Sequence, residues 1–201
     1  AKRDYPAGIF FQSPWWQYYA KVEDYFARIN AVMSNGTERR DIMVIHPIED
    51  MWHQVQNNWH RKPEVHEKVK RMTELRDNLL EANLDFDYGD EELLARHGKV
   101  KENGATPILQ MGQAQYRAVI LPQMDNVRGR TLKLLRAFKD AGGTVIVTGK
   151  HPEYMDVDQV KGPPMLHDCP VIEHLSTDLI TALEAFRTIS ITDQNANEIP
   201  A

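Results

Sequence analysis

The sequence is poor in cysteine: Cys169 is the single one in 201 residues. That excludes an internal disulfide framework and a multi-cysteine zinc site. It leaves the compartment open, because secreted proteins can also lack disulfides. Positive charge is short as well. Lys plus Arg number 24 against 29 Asp plus Glu, a net charge of -5. A broad nucleic-acid surface needs clustered cations to displace counterions, so nucleic acid is not an expected partner. No apolar run reaches the roughly 18 residues of a membrane-crossing helix, so no membrane partner is expected. The N-terminus lacks the basic, apolar and small-residue order of a signal peptide. Glycine-rich phosphate loops are missing too. The turn after Ile45 reads His46-Pro47-Ile48-Glu49-Asp50, without glycine for close backbone approach and with acids that repel phosphate. Gly143 to Lys150 has the residue types of a phosphate loop but the wrong spacing, and His151 stands where Ser or Thr is required. No nucleotide or other cofactor is expected.

What is present suits a globular domain: 42% hydrophobic and 26% charged residues. The length fits one domain, or one domain with an appendage. Ser13-Pro14 is a helix-start signature. From there Trp15, Tyr18 or Tyr19, Val22, Phe26, Ile29 and Met33 recur at three- and four-residue steps, predicting an amphipathic helix that stops at Asn35-Gly36. Three apolar runs follow, Ile42-Met43-Val44-Ile45, Ala118-Val119-Ile120-Leu121 and Val145-Ile146-Val147. None alternates with polar residues, which marks strands buried on both faces of a parallel sheet. Helical stripes lie between and after them: Val65 to Leu79 ending near Asn83, Leu132 to Phe138 ending at Gly142-Gly143, and Leu179 to Phe186 capped by Ser176. Weaker strands are predicted at Leu84–Asp87 and Thr188–Ile191, with a hairpin between Lys99 and Gln115 broken at Gly104 and Gly112. Strand–helix alternation points to an α/β, flavodoxin-like, doubly wound and mainly parallel five-stranded sheet in order 2-1-3-4-5, carrying an extra N-terminal aromatic helix. The expected divisions are residues 1–36 (arm and helix), 37–192 (α/β domain) and 193–201 (a polar tail that frays).

In such a sheet ligands bind beyond the carboxyl ends of the strands. His46, Gln123, Asp125, Lys150 and His151 fall there and form the candidate ligand rim. The competing reading is an ordinary polar loop surface. His46, His53, His60 and His66 are spaced seven, seven and six apart, too far for one helical turn to offer two to a metal. With Trp52 and Trp59 beside two of them, this stretch reads as an exposed aromatic connection, and no metal site is expected. Cys169 sits between Asp168 and Pro170, unlike the small residues around a nucleophile elbow. His167 and His174 keep a Cys–His pair open. Asp85, Asp87, Asp90, Glu91 and Glu92 form an acidic cluster, read as a helix cap with dipole-favoured acids. The aromatic helix is the most unusual feature. Trp15 and Trp16 point about 100° apart, so Trp15, Trp16, Tyr18 and Tyr19 are the candidate interdomain interface.

Three segments carry a resemblance: Asp4-Tyr5-Pro6-Ala7-Gly8-Ile9-Phe10-Phe11-Gln12-Ser13-Pro14-Trp15-Trp16, Asp24-Tyr25-Phe26-Ala27-Arg28-Ile29, and Asp41-Ile42-Met43-Val44-Ile45-His46-Pro47-Ile48-Glu49. Leu84-Asp85-Phe86-Asp87-Tyr88 and Leu121-Pro122 extend it. Together they resemble the region directly after the catalytic barrel in bacterial glycoside hydrolases like the family 106 α-L-rhamnosidases. They are also similar to the middle, trimerisation-type domain of family 42 β-galactosidases, whose fold is flavodoxin-like and class I glutamine-amidotransferase-like. The resemblance implies a piece of a larger enzyme with no catalytic residue of its own, because those carboxylates belong mainly to the barrel. It implies as partners a preceding barrel in the same polypeptide, that enzyme's carbohydrate substrate and a second copy of the chain. The parent is then expected to be secreted, periplasmic or cytoplasmic. The leading expectation is a non-catalytic accessory domain that braces the barrel. The alternatives are a sugar-binding module with its site at the strand ends, and a stand-alone Cys/His hydrolase.

Overall fold

The structure is a computed structural model that describes residues 11–103, 106–162, 164–175 and 177–199. The chain divides into two compact units, with the boundary between Arg39 and Arg40.

In the first unit a 3-10 turn over Trp16–Tyr18 leads into helix α1, Tyr19–Met33. The α-helix therefore starts several residues after the expected Ser13-Pro14 cap. The Ser13 carbonyl instead accepts the Trp16 N–H that closes the first tight turn (3.0 Å). No residue of α1 is buried.

The second unit is built on β1 (Ile42–Ile45), α2 (Ile48–Trp52), α3 (Pro63–Glu81), β2 (Phe86–Gly89) and α4 (Glu91–His97). An antiparallel sheet follows, β3 (Gly98–Asn103), β4 (Thr106–Met111) and β5 (Ala114–Tyr116). Then come β6 (Ala118–Leu121), β7 (Asn126–Val127), α5 (Gly129–Asp140), β8 (Thr144–Thr148), β9 (Tyr154–Met155), β10 (Asp158–Gln159), β11 (Val171–Ile172) and α6 (Asp178–Leu183). The five-stranded sheet runs β11-β8-β6-β1-β2 with every pair parallel. Numbered within that sheet, the order is 2-1-3-4-5, the doubly wound flavodoxin-like arrangement that the alternation predicts.

The three continuous apolar runs are buried along their whole length. Successive residues on a strand face opposite sides, so each run feeds two cores. Ile42, Val44, Ala118, Ile120 and Ile146 pack with Leu75 and Leu79 of α3 and Leu179 and Leu183 of α6. Met43, Ile45, Val119, Leu121, Val145 and Val147 pack with Leu94 of α4 and Leu132, Leu135 and Phe138 of α5. Covering both faces is what permits a parallel sheet. Two helices stop as the sequence predicts: Asn83 (φ 55°) after α3 and Gly142 (φ +97°) after α5 enter the left-handed region. The Asp90 carboxylate caps α4 by accepting the Leu93 N–H (2.9 Å).

Three expectations need correcting or moving. The second strand lies two residues later than Leu84–Asp87, at Phe86–Gly89. The hairpin at Lys99–Gln115 is a three-stranded antiparallel sheet turning at Gly112, and Gly104 lies outside the described residues. The fifth strand is Val171–Ile172, not Thr188–Ile191. The edge of β8 is already filled, with Val147 N–H on the Pro170 carbonyl (3.0 Å) and Gly149 N–H on that of Ile172 (2.9 Å). Ile189 and Ile191 are left exposed. Ser176, the expected cap of α6, lies outside the described residues. In the polar tail, Thr192 forms an isolated bridge with Glu198, whose carboxylate also pairs with Arg187.

Candidate functional site

The carboxyl ends of β1, β6, β8 and β11 open on a cleft of about 910 Å³. His46, directly after β1, lines it, and its ring meets Tyr88 edge-on (centroids 5.4 Å apart). Gln123, after β6, lines it too, and Gln123 Oε1 accepts from Arg71 Nη1 of α3 (2.6 Å). Gly149 ends β8 at φ +73°, and a Cβ there would lie 2.2 Å from Gln123 Oε1. Glycine is needed at this position for both its backbone and its missing side chain. Arg71 also donates to Glu67 (2.9 Å). The apolar lining includes Trp52 at the end of α2 and Trp59, which are 61% and 42% exposed.

The other members of the expected rim go elsewhere. Asp125 and Lys150 are engaged in a chain of alternating charges. Asp50, in the first turn of α2, is 2% exposed. Its Oδ1 accepts the backbone N–H groups of Asp125 (3.1 Å) and Asn126 (2.9 Å), and its Oδ2 accepts from Lys68 of α3. Lys68 bridges on to Asp125 (2.7 Å), Asp125 to Lys150 (3.4 Å), and Lys150 to Glu153 (2.7 Å). Burial alone would lower the Lys68 pKa, but its bonds to Asp125 and Asp50 outweigh it and hold the ammonium above its ordinary range. Burial likewise pushes Asp125 up, and Lys68 with Lys150 pull it below the usual carboxylate range. This chain of contacts holds the loop after β6 against α2 and α3. A second tie does the same on the far side of α2. Arg128 grips both oxygens of Glu49 (2.7 Å each) and also bonds Glu92, while its backbone N–H donates to the buried Glu91 (2.9 Å).

His151 lines a separate cavity of about 710 Å³ with Pro152, Met155 and Leu166. Its Nδ1 is buried without a partner among the described residues. Burial, helped by His167, holds its pKa below the ordinary histidine value, so the ring is neutral at pH 7. Cys169 is buried, and burial together with Asp168 pushes its thiol upward. A catalytic thiol needs the opposite shift. His167 Nδ1 bonds the Pro164 carbonyl (3.0 Å), and His174 lines the strand-end cleft. The acidic cluster is dispersed: Asp87 binds Arg40 and the Tyr116 hydroxyl, Asp90 caps α4, and Glu91 and Glu92 meet Arg128.

Of the expected rim, His46 and Gln123 line this cleft, Asp125 and Lys150 are tied to its edge through Lys68, and His151 lines a different cavity. It adds Trp52, Trp59 and Arg71, which the sequence alone does not assign to the rim. Their signal is there in part: the tryptophans lie in the connection directly following the first strand, where a strand-end ligand would sit. Of the four interface candidates, Trp15, Trp16 and Tyr18 are exposed. Tyr19 is half-buried and stacks on Trp16, with centroids 6.5 Å apart.

The sequence matches no protein-family model and no curated protein. The structure is similar to Gan42B, a GH42 β-galactosidase from G. stearothermophilus, at 15% identity and a TM-score of 0.52, over 77% of this chain and 20% of that one. A catalytic mutant of the same enzyme matches at 16% identity over the same shares, TM-score 0.52. An apo exo-carrageenase GH42 from Bacteroides ovatus matches at 10% identity and a TM-score of 0.54, over 88% of this chain and 22% of that one. The fold is glycoside hydrolase family 42-like. At these identities the likeness speaks for the fold alone, and the chain spans about a fifth of the length of each of those structures.

Proposed function

We propose that this chain is a non-catalytic accessory domain of a carbohydrate-degrading glycoside hydrolase, and that it braces the catalytic barrel of the same polypeptide through its aromatic helix. The observation that carries this reading is the combination of a family 42-like fold with a helix that buries none of its residues. Phe11, Trp15, Trp16, Tyr18, Tyr25 and Phe26 are each 45–65% exposed. A buried aromatic ring covers about 150–250 Å², so the exposed parts of these six offer roughly 600 Å², most of one side of a standard interface. An apolar surface of that size marks a contact to be made. The resemblance of Asp4–Trp16 and Asp41–Glu49 to family 106 and family 42 enzymes supports a position directly after the barrel, with self-association as a further role of this position. The carbohydrate substrate belongs to the parent enzyme.

The test uses the full parent polypeptide and the 201-residue chain side by side. The parent is expected to cleave aryl-glycosides, and the chain alone to cleave none. Trp15→Ser with Trp16→Ser and Phe26→Ser in the parent is expected to open the junction near Arg39 to limited proteolysis while the α/β unit unfolds at an unchanged temperature. Turnover by the isolated chain that vanishes with Cys169→Ala or His151→Ala would overturn the reading. So would a parent that cleaves no glycoside.

A further inference from the structure

We propose that the strand-end cleft is a binding site for a neutral saccharide, stacked on Trp52 and Trp59 and hydrogen-bonded by Gln123, Arg71 and His46. The cleft's volume of about 910 Å³ lies at the upper end of the roughly 300–1,000 Å³ typical of ligand sites, enough for more than one sugar ring. The charge around it selects against anions. Four carboxylates line it (Asp50, Glu67, Glu74, Glu173) against two cations (Lys68, Arg71), and both cations are already held by carboxylates. A phosphate or carboxylate ligand would find no free positive charge and a net negative wall. The turn after β1 offers no glycine cradle either.

A neutral polyhydroxyl ligand fits what remains. Its C–H faces are apolar and flat, and two indoles stand 61% and 42% exposed in the lining. Its hydroxyls both donate and accept. Gln123 is fixed on one side by Arg71 (2.6 Å) and on the other by the close approach of Gly149. That leaves the Gln123 amide N–H groups to donate, oriented before any ligand arrives. His46 supplies an imidazole at the same rim, steered by its ring contact with Tyr88. Aromatic anchors with a few pre-set planar polar groups are the elements of a specific small-ligand site. The inference rests on the accessory-domain reading only for the choice of sugars to try.

In a chain carrying Trp15→Phe and Trp16→Phe, two of the four tryptophans remain, Trp52 and Trp59, so fluorescence reports on the cleft. This chain is titrated with lactose, β-1,4-galactotriose, xylotriose and L-rhamnose, with inorganic phosphate and ATP as charged comparators. At least one saccharide is expected to change the emission saturably and to raise the melting temperature. Trp52→Ala, Trp59→Ala and Gln123→Leu, followed by the melting shift, are each expected to weaken that binding by about tenfold. No saturable response to any of the four sugars overturns the proposal. Stronger binding of phosphate or ATP overturns it too, as does saccharide binding that survives both tryptophan substitutions. A parent that cleaves glycosides while the cleft ignores sugars sinks this inference alone. Sugar binding in a chain whose parent cleaves no glycoside sinks the accessory reading alone.

Discussion

Replacing Asp50 tests how the cleft is held open. Asp50 is 2% exposed, and its two oxygens join three elements distant in sequence: α2, the loop after β6 and Lys68 on α3. In Asp50→Ala the backbone N–H groups of Asp125 and Asn126 lose their acceptor, at about 1–3 kcal/mol each if water does not replace it. Lys68 keeps Asp125 as a partner (2.7 Å), so its ammonium is not stranded. The expected total is about 3–4 kcal/mol, at the lower end of what breaking a buried pair costs. With a urea m-value of about 2 kcal/mol/M, the unfolding midpoint falls by roughly 1.5–2 M at constant m. Asp50→Asn keeps an acceptor oxygen for the two N–H groups and loses the charge toward Lys68, so it should cost only about 1–2 kcal/mol. Urea unfolding followed by far-UV circular dichroism separates the two. A loss below about 1 kcal/mol for Asp50→Ala, or equal losses for the two variants, would refute the claim that these backbone bonds fix the loop.

Four further outcomes follow from the same geometry. Burial holds the Glu91 pKa above its ordinary value, so the folded state keeps that proton longer than the unfolded one, and stability falls as pH rises from about 4.5 through the raised folded value. Glu91→Gln should flatten this slope and be at least as stable as wild type at pH 7, checked by melting temperature from pH 4 to 8. Asp125 has the opposite sign: its lowered folded pKa adds stability that is present above about 3.8 and lost as pH falls through the folded value, a limb that Lys68→Met should shrink. Gly149→Ala forces a side chain at φ +73° into Gln123 and should cost about 1–3 kcal/mol, seen as a lower urea midpoint, while weakening any ligand of the cleft. Cys169 should resist a thiol reagent at pH 7 and react once urea unfolds the domain; fast labelling of the native protein would contradict its buried, raised thiol.

Much of the fold could be read along the chain because its signals are local. Ile42–Ile45, Ala118–Leu121 and Val145–Val147 are unbroken by polar residues, which forces two covered faces and hence a parallel sheet. Asn83, Gly142 and Asp90 mark helix ends through their own backbone and side-chain chemistry. What the sequence by itself cannot set is which distant groups meet. Val171–Ile172 and Thr188–Ile191 are both short and rich in β-branched residues, and it is Val171–Ile172 that pairs in register with the edge of β8. The same holds at the strand ends. His46, Gln123, Asp125, Lys150 and His151 share a rim on paper. In three dimensions Asp50 captures a loop 75 residues away, the lysines capture Asp125, and His151 turns into another cavity. Charge pairing and burial act through space, so only the tertiary structure decides that the cleft is left to two tryptophans, an arginine-held glutamine and a histidine.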